Sequence, residues 1–155
     1  MASTNGNGNG GGAQRHFTMH QLYIKDLSLE APNSPAVFSE QFQPEMKLNL
    51  QSSNQSLGSD LYEVVLHLSV HATVKDKSLF LIELQQAGIF QIIGYSADET
   101  KAILGAACPS TLFPFAREVI YSLVGRSGFP PLVLQPINFE ALYAQAQSRL
   151  QHQMA

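Results

Sequence analysis

The stretch from Tyr62 to Val74 constrains this chain more than any other. Tyr62, Val64, Leu66, Leu68, Val70, Ala72 and Val74 alternate with Glu63, Val65, His67, Ser69, His71 and Thr73, which is the period of a strand with one buried face. Lys75-Asp76-Lys77 is a short charged link, and beyond it Phe80, Ile82 and Leu84 share one phase while Leu81, Glu83 and Gln85 share the other. Two long antiparallel strands joined as a hairpin are predicted.

Two further strands precede this hairpin in sequence. Met46, Leu48 and Leu50 alternate with Lys47, Asn49 and Gln51, and the Ser/Asn/Gly-rich residues 52–59 are expected to be the loop that follows. From Phe17 to Glu30 the chain is rich in strand formers, with Leu27 and Leu29 opposite Asp26, Ser28 and Glu30, and it stops at Ala31-Pro32-Asn33-Ser34-Pro35.

After Gly94 the period changes. Ser96 and Glu99 form a capping box, and an apolar face continues through Leu112, Phe115, Ala116, Val119, Ile120, Leu123 and Val124. Pro109 and Pro114 leave two helical pieces or one kinked helix as alternatives. The proline-rich residues 128–136 form an apolar loop, and Asn138 caps a last helix lined by Phe139, Leu142, Tyr143, Ala146 and Leu150. Strands followed by helices predict an α+β fold, a four-stranded antiparallel sheet with helices covering one face.

At 155 residues, 45% hydrophobic and 14% charged, the chain has the size of one domain. That domain is expected over residues 15–150, after a disordered Gly/Asn-rich tail at 1–14 and before a short flexible end at 151–155. A net charge of −3 without any basic cluster argues against nucleic acid as a partner. A single cysteine and no signal-like start favour the cytoplasm, and no apolar run suggests insertion into a membrane.

Catalytic signatures are missing. Cys108 lies between Ala107 and Pro109 without a neighbouring base, so an inert thiol is expected. His67 and His71 fall on the outward phase of a strand, about 13 Å apart at ~3.3 Å per residue, too far for one metal ion. His16 and His20 share that spacing, and Glu118 beside Arg117 is an exposed helix pair. No enzyme activity, cofactor or metal is therefore expected. Apolar residues in loops, Phe38 and Phe42 and the segment from Phe129 to Val133, fit either a binding surface or loops folded over the core.

Several segments carry a resemblance. Tyr23-Ile24-Lys25-Asp26-Leu27-Ser28-Leu29-Glu30-Ala31-Pro32-Asn33-Ser34-Pro35, Gln43-Pro44-Glu45-Met46-Lys47-Leu48, Tyr62-Glu63-Val64-Val65-Leu66 and Gln85-Gln86-Ala87-Gly88-Ile89-Phe90 stand in order. Cys108-Pro109, Leu112-Phe113-Pro114-Phe115-Ala116-Arg117-Glu118 and Pro136-Ile137-Asn138-Phe139-Glu140-Ala141-Leu142 follow. Together they resemble SecB, the protein-export chaperone family. The resemblance implies a cytoplasmic homotetramer, a dimer of dimers with helices between two sheets, that holds unfolded secretory precursor proteins and delivers them to the SecA ATPase.

It further implies SecA docking at Asp26, Glu30, Leu81 and Glu83, and a client groove lined by Phe42, Met46, Leu48, Leu50, Phe80, Phe115, Phe139, Leu142 and Tyr143. Three departures stand out: Phe42 where the family often has Trp, the polar Gln147 on the last helix, and a C-terminus without the longer acidic tail. The rival expectations are an assembly module whose apolar surfaces only join subunits, and a small-ligand pocket or hydrolase under the helices.

Overall fold

The computed structural model describes residues 14–40 and 43–153. Phe42, all but the last residue of the glycine-rich tail expected over residues 1–14, and the last two residues lie outside the described residues. Four antiparallel strands, β1 (His16–Glu30), β2 (Glu45–Gly58), β3 (Leu61–Val74) and β4 (Lys77–Ile93), form one sheet in the order β1-β4-β3-β2. The predicted hairpin is thus the centre of the sheet, and β1 and β2 are its edges.

Both hairpin turns place two non-glycine residues at positive φ, Ser59 and Asp60 between β2 and β3, Lys75 and Asp76 between β3 and β4. That backbone twist matches the twist of the strands it joins. The expected loop at residues 52–59 is corrected: β2 continues through Gly58, paired with β3 as far as Leu61. Its inward positions there, Ser52, Asn54 and Ser56, are exposed, so no apolar alternation marked the strand.

The inner face of the central pair holds the core. Val64, Leu66, Leu68, Val70 and Ala72 of β3 and Phe80, Ile82, Leu84, Phe90 and Ile92 of β4 are buried. Helix α2 (Cys108–Arg126) lies over them with Leu112, Phe113, Ala116, Ile120 and Val124. Each fully buried Leu, Ile or Phe contributes roughly 1.5–3 kcal/mol.

The helical run begins at α1 (Ala97–Ala102), where the Ser96 side chain accepts from the Glu99 N–H as the capping box requires. It passes through a π turn at Ile103–Ala107 into α2 without a break, so of the two alternatives the structure has one helical run, with Pro114 inside it. Within that turn the Cys108 N–H bonds the Ile103 carbonyl five residues back, just before Pro109, which has no N–H to give.

The last helix, α3 (Phe139–Gln153), extends past the expected start of the C-terminal end at residue 151. Asn138 caps it through the Ala141 N–H at 3.0 Å. The apolar loops are split between the two expectations: Val37, Phe129 and Leu134 are buried, whereas Phe38 and Val133 are exposed. Phe38 stacks on Phe129 at 5.4 Å and Phe129 on Phe80 at 5.3 Å. Gly128, at φ +89°, allows this, because a Cβ there would meet the Phe38 ring at 2.9 Å.

Strand β1 contains two register shifts against β4, one between Met19 and Gln21 and one between Ile24 and Asp26. An extra residue, Lys25, sits at the second. It reverses the phase of the strand, so that Tyr23 on one side of it and Asp26, Ser28 and Glu30 on the other all share the outer face.

Glu63 of β3 lies beneath this bulge and is only 9% exposed. It accepts from the Tyr23 hydroxyl, from Lys25 Nζ at 2.8 Å and from Gln55 Nε2 at 3.2 Å. The Lys25 ammonium and then the Tyr23 hydroxyl hold the Glu63 carboxyl below its ordinary value. Burial, and then Glu63, push Tyr23 up to about 12.

A carboxyl with a lowered folded-state pKa stabilises above its unfolded value, and that stabilisation is lost as pH falls through the lowered one. Glu63→Gln should therefore cost about 1–2 kcal/mol in urea unfolding at pH 7, and progressively less as pH falls through the lowered Glu63 pKa. Equal losses across that range would contradict the ionic role.

Candidate functional site

The sheet has two unlike faces, and the expected site residues divide between them. On the outer face, Glu30 of β1 is the cross-strand partner of Leu81 of β4, Ser28 of Glu83, and Asp26 of Gln85. Asp26, Glu30, Leu81 and Glu83 therefore project from the same face, Asp26 lying diagonally from Glu83. The three carboxylates are exposed and Leu81 is half-buried. Nearby, Asn49, Gln51, His67, Ser69 and Gln85 complete a shallow polar depression with Asp26 and Glu83.

His67 and His71 belong to this face, as their phase required. Each ring is hydrogen-bonded to a serine, His67 to Ser53 at 3.2 Å and His71 to Ser78 at 3.0 Å. His16 and His20 bond Thr18 and Gln91 in the same manner. Among the described residues no cluster of His, Cys, Asp and Glu could hold a metal ion.

The inner face is covered only along its middle. Met46 and Leu48 of β2 point inward, opposite Ala72 and Val70, yet each remains 42% exposed, while Leu50 is half-buried. At the opposite edge Phe17, Ile24 and Leu27 of β1 are also exposed. A sign of this second apolar strip was present in the sequence: apolar parity slips from Leu22 and Ile24 to Leu27 and Leu29. That slip also marks the bulge at Lys25.

Helix α3 is docked at one end and free at the other. Phe139 is buried with its ring edge against Phe113 at 5.7 Å. Tyr143 lies so close to Gly105 of the π turn that a Cβ there would stand 2.5 Å from the ring. Leu142 beside it is exposed, and beyond it so are Ala146, Leu150 and the polar Gln147. The π turn contacts β2 as well as α3.

Two of the expected groove residues differ sharply in exposure. Phe80 is 1% exposed and is ordinary core, reaching the surface only through the Phe129 and Phe38 rings. Phe115 is instead exposed on α2, because the buried stripe of that helix runs through Leu112, Ala116 and Ile120. Cys108 is fully buried, and burial pushes its thiol up to about 12, so it presents no thiolate for nucleophilic attack. Glu118 is exposed, and the Arg117 guanidinium lies over the Phe113 ring. No described helix is long and apolar enough to cross a membrane.

The family model described as preprotein translocase subunit SecB matches residues 11–150. The protein-export protein SecB of Nitrosococcus oceani is 47% identical over 151 residues, covering 96% of this chain and 92% of its own length. That of Chromobacterium violaceum is 49% identical over 136 residues, covering 88% of this chain and 91% of its own. A SecB-like chaperone of Mycobacterium tuberculosis, solved in complex with a ChAD peptide from an antitoxin, shares the fold. Its TM-score is 0.65 at 16% identity, over 78% of this chain and 90% of that one. The sheet-and-helix architecture and relatives at nearly half identity over most of their length agree: the chain belongs to the SecB family, a chaperone of protein export and not an enzyme.

Proposed function

We propose that this chaperone works in the cytoplasm as a homotetramer, a dimer of dimers, holding newly made secretory precursors unfolded and delivering them to the SecA motor. Residues 15–150 supply the chaperone domain. One observation carries the proposal: exposed apolar side chains flank the helices on one face of the sheet, while the opposite face carries three exposed carboxylates around Leu81.

Client chain binds on the helix side, along Met46, Leu48 and Leu50 of β2 and Leu142 and Tyr143 of α3, with Phe42, Phe115 and Phe139 extending or supporting the groove. Burial there yields roughly 25 cal/mol per Å² of apolar surface, and an extended client offers its own backbone to the unpaired edge of β2. Such contacts read little sequence. A client needs only to be apolar and unfolded, as a precursor awaiting export is. The apolar strip of Phe17, Ile24 and Leu27 suits the joining of subunits, which gives the assembly function a surface separate from the groove.

On the outer face, Asp26, Glu30 and Glu83 draw a basic surface of SecA, and Leu81 adds an apolar contact at the centre. Separating cargo and motor on two faces allows both to be bound at once.

The groove is tested by Leu48→Ser combined with Leu142→Ser. Because both side chains are more than two-fifths exposed, the pair should weaken capture of an unfolded precursor at least tenfold, by about 1.4 kcal/mol, while the melting temperature changes little. Unchanged capture with a lowered melting temperature would show both residues to be merely structural. The docking patch is tested by Glu83→Lys, which should weaken SecA binding most strongly at low ionic strength. Affinity equal to that of the parent at every salt concentration would exclude the patch.

A further inference from the structure

Lys25 is the one cation adjoining the docking patch in β1, directly preceding Asp26 in the chain. Its charge at that place is unfavourable for attracting a basic partner. The bulge and the outer face of the sheet deal with it in a specific way. Glu63 does not belong to the strand next to β1: β4 lies between them, and its residue opposite Tyr23 is Ala87. Ala87 has no side chain beyond Cβ, so Tyr23 and Lys25 can reach over β4 to the Glu63 carboxyl.

Along β4, the residue facing Glu63 is Ile89 and the residue facing Asp26 is Gln85. At ~3.3 Å per residue that places Glu63 about 13 Å along the sheet from the level of Asp26. The bulge is also secured from the inner face. Gln86, 3% exposed, donates its amide to the Tyr23 carbonyl at 3.1 Å.

We propose that Glu63 is a positioning residue for SecA docking: it draws the Lys25 ammonium across β4 and away from Asp26, so that no cation of β1 stands beside the carboxylates that meet the basic partner. This inference rests on the assignment of Asp26, Glu30, Leu81 and Glu83 to docking. Glu63 touches no partner itself. Its near-complete burial and its three donors suit a residue that holds another in place, and a bulge that re-aims one side chain is a usual companion of a binding site.

The test measures binding of purified SecA to the full chain and to three variants at low and physiological salt, with circular-dichroism melts confirming that each is folded at the assay temperature. Glu63→Gln keeps the shape and an acceptor for Tyr23 but frees the Lys25 charge. It should weaken SecA about 3- to 10-fold at low salt, the effect of one added positive charge several ångströms from the patch. Lys25→Met with Glu63→Gln removes both charges, and should return affinity to within about twofold of the parent.

A Glu63→Gln chain that binds as the parent does would overturn the proposal. So would a double variant no tighter than the single one, since that pattern belongs to a collapsed bulge and not to a released charge. Glu83→Lys separates the two levels: if it leaves binding intact, the patch assignment and this inference fall together. If it weakens binding while Glu63→Gln does not, only the inference falls.

Discussion

The contact between the inner faces of β3 and β4 and the buried stripe of α2 is what the rest of the molecule depends on. It is formed by the two central strands and one helix, and it uses up the apolar surface of both. One helix is about 10 Å across, whereas four strands at ~4.8 Å spacing span nearly twice that. A single layer of helix therefore leaves both sheet edges bare. Met46 and Leu48 on one side, and Phe17, Ile24 and Leu27 on the other, are exposed as a consequence of this geometry. A chaperone of unfolded chains needs accessible apolar surface on a stable frame, and this mismatch of widths supplies it without weakening the core.

The outer face follows from the same strands by alternation, but in β1 the alternation alone fails. Without the extra residue at Lys25, a strand that keeps Tyr23 outside would turn Asp26 and Glu30 inward and Leu27 and Leu29 to solvent. The bulge corrects this. The acidic surface at the end of β1 thus depends on a local irregularity, secured by Gln86 from within and by Glu63 from without.

Much of this was legible in the sequence where an apolar period meets a covering layer. The alternation in β3, the charged turn, the Ser96 cap and the Asn138 cap correspond to the structure because each is a local device. The far half of β2 was illegible, since Ser52, Asn54 and Ser56 face a region that no helix covers, and a strand polar on both faces looks like a loop. Phe80, expected in the groove, is core because an apolar side chain in sequence does not announce whether it meets solvent or a covering ring. The Glu63 cluster was missed for a different reason. Its members are 38 and 40 residues apart and are joined across an intervening strand, leaving only the parity slip in β1 as a trace.

The central claim is that cargo occupies the helix side of the sheet while the carboxylate face stays open. Backbone amide exchange of the chain with and without a urea-unfolded secretory precursor tests it most directly. Binding should slow exchange along residues 45–50 of β2 and in α3, and leave residues 26–30 of β1 and 81–83 of β4 as they were. Slowed exchange at residues 26–30 and 81–83 without any change in β2 and α3 would contradict the account.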